Sequence, residues 1–188
     1  VSNDYDTALN LYENAEDNSY STDKLQYKKG IIMYNKSDYS DALSEFYESA
    51  APFSENENLL YSTGNTLFRR GDYFAAQGYY NHLLDLLEKR KSEIPYLLPE
   101  EQKEHRALLE MMTKSYNNLG VTLFMLSEGN SDRRKYSESL RYLTKSTEYA
   151  DLLSRNQATM TPMPSVQLSY LNMRSILYPE SRNELQIR

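Results

Sequence analysis

The chain has no cysteine and no tryptophan among its 188 residues, and only six glycines, six prolines and two histidines. Without thiols there is no disulfide framework and no thiolate metal site, although the absence of cysteine leaves the compartment open. Gly71 and Gly78 do not make a phosphate-cradling loop, because Gly78 falls inside a helical pattern rather than before one. Glu101 and His105 have the i,i+4 spacing that a metal could use, but such a lone pair is commonplace on charged helices. No metal and no cofactor are therefore expected. No nucleophile–base arrangement is legible either, and the chain does not read as an enzyme.

Long apolar runs are also missing. None approaches the length of a membrane span, so membrane insertion is not expected, and the first residues lack a basic-then-apolar signal pattern. Since the chain opens on Val1, that last absence carries little weight. Positive charge is short as well. A formal net charge of −6 argues against nucleic acid or an anionic membrane as the main partner. The cluster Arg133, Arg134, Lys135 follows Gly129-Asn130-Ser131-Asp132 and reads as a solvated turn.

What the chain has in excess is tyrosine, 18 residues against five phenylalanines. Its aromatic bulk thus comes from an amphipathic ring that tolerates a partly wet position. With 39 % hydrophobic and 26 % charged residues it is polar for a compact globule, and ordinary for an elongated array.

Sliding the sequence by 34 residues shows internal repetition. Asp4, Asp38 and Asp72 align, followed by Tyr5, Tyr39 and Tyr73, then Ala8, Ala42 and Ala76, then Tyr12, Phe46 and Tyr80. Earlier in the unit Gly30 pairs with Gly64, Leu25 with Leu59, Tyr27 with Tyr61 and Tyr34 with Phe68. The small columns predict close approach of two helices, with the aromatic four residues after the alanine filling the space beside the contact. The Asp before each Tyr is placed to cap the second helix, and Gly71 suits the turn between helices. A further copy reads Tyr116-Asn117-Asn118-Leu119-Gly120 and continues through Leu123 and Phe124. Its second helix follows as Tyr136, Ser139, Leu143 and Ser146, displaced by seven residues.

In these columns, over residues 4–156, the chain resembles the tetratricopeptide repeat (TPR) family, whose pattern is an aromatic, Leu-Gly, Tyr, then Ala, Phe and Pro. The closing Pro is missing from most units, Pro52 coming nearest to it. The resemblance implies an all-α fold, a right-handed superhelix of antiparallel helix pairs. Residues 1–21 would be the second helix of a truncated unit, 22–55 a unit, 56–112 a unit with extended helices and an insertion, and 113–157 a unit with a turn insertion. Residues 158–188 would be linker, capping helix and tail. The spacing between Gly64 and Gly120 exceeds one repeat by 22 residues. It predicts a second helix prolonged to about Ser92, a loop over 94–98, and a first helix that begins at Pro99, the two overlong helices projecting as a spur. In the cap, residues 165–177, Val166, Tyr170, Met173 and Leu177 should face inward and Gln167, Asn172, Arg174 and Ser175 outward.

The resemblance further implies a concave groove lined by the first helix of each pair. Transferred to this chain, its ligand-facing positions are Lys24, Tyr27, Ile31 and Tyr34; Asn58, Tyr61, Asn65, Phe68 and Arg69; and Lys114, Asn117, Val121 and Phe124. Ile31, Phe68, Val121 and Phe124 read better as packing residues. The candidate partner-binding set is Tyr27, Tyr34, Tyr61, Asn65, Arg69, Lys114 and Asn117, rings and amides able to grip a peptide backbone. Asn65 and Asn118 also match two places of the family's carboxylate clamp, but Tyr61 stands where the clamp has Lys.

The expected function is a protein–protein scaffold that holds a peptide or helix of a partner within a multi-protein assembly. The alternative is a regulatory TPR module of a larger enzyme or signalling protein. The stretch Tyr149-Ala150-Asp151-Leu152-Leu153-Ser154-Arg155-Asn156, with Ser169-Tyr170-Leu171-Asn172, is similar to bacterial TPR proteins of the spirochaete periplasmic flagellar collar. That similarity implies a periplasmic location; otherwise a cytoplasmic one is expected. Finally, Tyr5, Ala8 and Tyr12 align with second-helix columns, which predicts a first helix upstream of Val1, and an open face for self-association where it is absent.

Overall fold

The computed structural model describes residues 2–17, 23–49, 55–93, 99–155, 164–177 and 187. These form eight helices and, among the described residues, no strand; the chain is all-α. They are α1 (Ser2–Asp17), α2 (Asp23–Asn35), α3 (Tyr39–Ser49), α4 (Glu57–Arg70), α5 (Tyr73–Glu93), α6 (Pro99–Asn130), α7 (Arg133–Arg155) and α8 (Pro164–Leu177). They fall into two compact units, Val1–Asp72 and Tyr73–Arg188. The 94–98 loop, the linker before Pro164 and Pro52 lie outside the described residues, as does the tail apart from Ile187.

Three turns share one construction. In each, a residue with positive φ is followed by an Asp whose backbone N–H reaches back five residues. Ser37 (φ 67°), Gly71 (φ 93°) and Ser131 (φ 51°) take the left-handed position. The amides of Asp38, Asp72 and Asp132 then donate to the carbonyls of Met33, Leu67 and Ser127 at 2.9, 2.9 and 3.1 Å. Each Asp stands immediately before a helix. Asp132 caps α7 with its carboxylate, accepting from Arg134 N and Lys135 N at 2.9 and 3.2 Å. The Asp72 carboxylate pairs instead with Arg70.

In the first unit α2 and α3 run antiparallel. Their close approach centres on Gly30: a β-carbon there would lie 2.5 Å from the Phe46 ring. At the far end Ser49 Oγ donates to the Asp23 carbonyl at 2.7 Å. Ala42, Phe46 and Leu59 form the buried centre, with Tyr27, Ile31, Met33 and Tyr34 packed on it. Lys29 and Glu45 cross the same interface as a nearly buried ion pair at 2.8 Å.

In the second unit α6 is the central helix, packed on by α5, α7 and α8, and residues 115–124 are buried without interruption. Burying so polar a segment requires internal partners. Thr113, Thr122 and Ser127 bond back to carbonyls of their own helix, while Ser139 and Ser146 of α7 donate to the carbonyls of Gly120 and Thr113. A β-carbon on Gly120 would lie 2.7 Å from Leu143 Cγ. The aspartate turn explains the seven-residue displacement of this copy. Asp132 follows Gly120 by four residues more than Asp38 follows Gly30, and Leu143 follows Asp132 by three more than Phe46 follows Asp38. Each helix has gained about one turn, so the contact face stays in phase.

The prolonged helices end where their sequence signals stand: α5 at Glu93, and α6 opens on Pro99. They do not stand free as a spur. Leu87, Leu108, Leu109 and Met112 are fully buried, and α7 runs long enough to bring Tyr149 onto Lys91. The tips, residues 92–93 and 102–104, are exposed.

α8 departs in part from its sequence reading: Gln167 and Arg174 are exposed and Met173 half-buried as expected, but four other positions are exchanged. Asn172 and Ser175 are buried, together with Ser165, Leu168, Ser169 and Ile176, whereas Tyr170 and Leu177 are exposed. Partners on α7 and α6 account for Ser169 and Asn172, whereas the buried Ser165 Oγ has no hydrogen-bond partner among the described residues. Ser146 Oγ and Ser169 Oγ share a hydrogen bond at 2.6 Å, and Asn172 Nδ2 donates to Asn117 Oδ1 at 3.0 Å.

Candidate partner-binding site

The seven candidate residues fall on α2, α4 and α6. In the first unit α2 and α4 lie side by side, joined where Tyr27 OH and Ser62 Oγ share a hydrogen bond at 3.2 Å. Tyr27 leans on Phe46 (ring centroids 5.7 Å apart) and Tyr34 on Tyr39, also at 5.7 Å. Both rings are half-buried, so each anchors in the core and offers an edge to solvent. On α4, Tyr61 is half-buried and Arg69, one face further along, is exposed. Asn65, between them, is 7 % exposed and lies deeper than the rings. Tyr27, Tyr34, Tyr61 and Arg69 thus each reach solvent from one of two neighbouring helices. The helices are set there by the Asn56 cap of α4, whose Oδ1 accepts from Asn58 N and Leu59 N at 3.1 and 3.2 Å.

In the second unit Lys114 is partly exposed and paired with Glu110 one turn back. Asn117 lies beneath α8, 2 % exposed, its Nδ2 donating to Asn118 Oδ1 at 3.1 Å and its Oδ1 accepting from Asn172. Val121 and Phe124 are buried packing residues.

A second polar constellation, in α5, α6 and α7, has no signal at close sequence spacing. Tyr116 is stacked between Tyr142 and Tyr149, with centroids 5.9 and 5.5 Å away. One Glu88 carboxylate oxygen accepts from Tyr116 OH at 2.6 Å and from Tyr149 OH at 3.1 Å. Lys145 and Lys91 donate in turn to those two hydroxyls, at 3.3 and 2.9 Å, and lie over the same rings. Burial, with Glu88 beside it, pushes the Tyr116 hydroxyl far above its ordinary pKa. Burial likewise raises Tyr149, so both stay protonated donors at neutral pH. The bond to Tyr149 raises Lys91. This is a structural brace, two cations and one anion joined through neutral hydroxyls.

His105 stands near Lys91; burial, then that positive charge, lowers its pKa. The Glu101 side chain lies outside the described residues. No group of three or more His, Asp or Glu that could hold a metal occurs among the described residues, and none of the helices is long and apolar enough to cross a membrane. No protein-family model matches the chain, and no curated protein matches it.

Proposed function

We propose that the chain is a TPR-type scaffold, its helix pairs arranged as a right-handed superhelix, that holds an extended peptide or helix of a protein partner. The face that does so is the α2–α4 surface of Tyr27, Tyr34, Tyr61 and Arg69, with Asn65 behind it; Asn117, buried beneath α8, is too deep to take part. The observation that carries the reading is the Tyr27–Ser62 contact, which sets two aromatic-bearing helices edge to edge. A backbone laid along such a face meets rigid rings at low entropic cost and one mobile cation. The three aspartate turns support the repeat, because at matching positions each sets a left-handed residue before an Asp whose amide reaches back five residues. The setting we propose is a multi-protein assembly of the bacterial periplasm, of the kind built round the flagellar motor, on the similarity of residues 149–156 and 169–172.

The test is affinity capture from the native organism with the unaltered chain and with a Tyr61→Ala/Arg69→Glu variant of unchanged circular dichroism. A partner held by the first and lost by the second supports the site. Equal capture by both removes the α2–α4 face from the interaction.

A further inference from the structure

The first half of α7 is positively charged in a chain of net charge −6. Residues 133–145 hold five basic side chains and one acid, Glu138, and beyond Lys145 the helix turns acidic with Glu148 and Asp151. Arg134 is paired with Glu138. Three of the other cations are held over aromatic rings. Lys135 lies over Phe74 at 5.6 Å, Arg141 over Tyr142 at 4.9 Å and Lys145 over Tyr116 at 4.9 Å. Among the described residues none of these three is in an ion pair, and Lys145 reaches Glu88 only through the Tyr116 hydroxyl.

These residues border the side of α7 that is turned toward α5. At one end Lys135 meets Phe74 of α5, and at the other Tyr149 meets Lys91 and Glu88 of the same helix. Among the described residues α5 and α7 pack on α6 rather than on each other, so only side chains bridge the space between them. Phe74 is 66 % exposed, while Lys135, Tyr142 and Lys145 are half-buried. A free surface lysine loses rotamer freedom when it binds, but here the rings hold the cations in place beforehand. At 1.5 Å of rise per residue, Lys135, Arg141 and Lys145 stand roughly 9 and 6 Å apart along the axis, about 15 Å in all. An extended chain presents one side every second residue, so three alternate carboxylates span about 13 Å.

We infer that this flank of α7 docks an acidic, extended segment of a protein partner. Carboxylates at alternate positions meet Lys145, Arg141 and Lys135, and an apolar residue beyond them meets Phe74. Charge complementarity carries the assignment, because three ordered cations with no carboxylate beside them are completed by a segment of opposite sign. The exposed ring supplies an apolar anchor at the end of the row. A protein segment fits better than nucleic acid, since the row is short, gives way to Glu148 and Asp151, and belongs to a chain that repels long polyanions. The contacts are at the surface, so binding is weak and falls with salt. The flank lies wholly within the second unit, and the inference is independent of the α2–α4 surface.

The probe is a fluorescein-labelled peptide with glutamates at three alternate positions and a terminal phenylalanine; its control carries glutamines instead. Fluorescence anisotropy with the full chain at low salt should show saturable binding of the glutamate peptide only, weakened at least about tenfold in about 0.5 M salt. Lys135→Glu/Arg141→Glu, with unchanged circular dichroism, should also weaken it at least about tenfold. Both residues stand outside the hydrogen bonds of the tyrosine brace, which the variant therefore keeps. Should that variant lose helicity, Arg141→Glu alone, at an exposed position, takes its place with a loss of about threefold expected. The Tyr61→Ala/Arg69→Glu chain should bind the peptide like wild type. No saturation, equal binding of the glutamine peptide, or wild-type affinity in the charge-reversed chain overturns the inference. So does loss of binding in the Tyr61→Ala/Arg69→Glu chain, which would move the peptide to the α2–α4 face. An oligothymidylate of equal charge that binds as tightly overturns it too, because the flank would then accept any polyanion.

Discussion

Gly120 and Leu143 touch at a distance that admits no side chain on the glycine. A β-carbon would sit 2.7 Å from Leu143 Cγ, 3.0 Å from Cδ2 and 3.2 Å from the backbone nitrogen. Gly30 and Phe46 repeat the relationship in the first unit, where the β-carbon would lie 2.5 Å from the ring. Leu143 and Phe46 are both fully buried and have nowhere to move. Each glycine is thus the hinge of an antiparallel helix contact, and the small-residue column follows from that packing.

The first prediction follows by contrast. Gly120→Ala should destabilise by about 1–3 kcal/mol through overpacking, outweighing alanine's better helix propensity. Gly78→Ala should do the opposite. Gly78 is exposed in the middle of α5 with nothing within 4 Å of its β-position, so alanine should stabilise by about 0.5–1 kcal/mol. Chemical denaturation of both variants checks the pair. A Gly120→Ala chain as stable as wild type would mean that α6 and α7 do not approach this closely.

The second concerns the tyrosine brace. Glu88→Gln keeps an acceptor for Tyr116 and Tyr149 but removes the negative charge to which both hydroxyls donate. Charge-assisted bonds are about twice as strong as neutral ones, so a loss of about 1–2 kcal/mol is expected. In a double-mutant cycle with Tyr149→Phe the coupling should be at least about 0.5 kcal/mol. Additive effects would show that the two groups act separately.

The third is a pH effect. His105 has a folded pKa below its ordinary value because burial, and then Lys91, disfavour its cation. A depressed folded pKa means the unfolded chain binds a proton first as acidity rises. The neutral imidazole therefore contributes stability above about pH 6.5, and that contribution is lost as pH falls below it. The stability difference between wild type and His105→Asn should be larger at pH 7.5 than at pH 5.5, in thermal melts at fixed salt. An equal difference at both pH values would place His105 in ordinary solvent.

The buried positions of α3 and α5 were legible because they are set by steric contact. Ala42, Phe46, Ala76 and Tyr80 are sealed because the helices they join leave no slack. Pro99 with acids behind it, and Lys89-Arg90-Lys91, mark helix ends through the local dipole, so those boundaries needed no tertiary information. The brace was not legible, since Glu88, Tyr116 and Tyr149 meet only after three helices have packed. Within the candidate site, the aromatic stripes of α2 and α4 could be placed from spacing, but the depths of Asn65 and Asn117 could not. An amide reads as surface until its partner, here Asn172 for Asn117, is known. The same rule misdirected α8, where apolar residues were expected inside. Serine and asparagine can occupy a core when each finds a carbonyl or another side chain, and nothing in a local pattern reveals that they do.

The last prediction tests that reversal of α8. Asn172 Nδ2 donates to Asn117 Oδ1 at 3.0 Å, and both residues are 2 % exposed. Asn172→Leu keeps the branching of the side chain and adds apolar surface, so burial alone would make it stabilising, though the two methyls are larger than the amide atoms they replace. Against that stands the removal of a buried donor from the Asn117 carbonyl, which costs about 1–3 kcal/mol in desolvation that is no longer compensated. The unmet polar group should win, because the leucine gains only the area it already shares with asparagine plus two methyls. The expected result is a less stable chain in which α8 detaches first, seen as faster cleavage by trypsin after Arg174. Tyr170→Gln on the outer stripe is the control. Its one described partner is the exposed Asp151, so a change within about 0.5 kcal/mol is expected for the isolated chain. If Asn172→Leu instead stabilises the chain while Tyr170→Gln weakens it, α8 packs through its apolar side, and the orientation described for it is wrong.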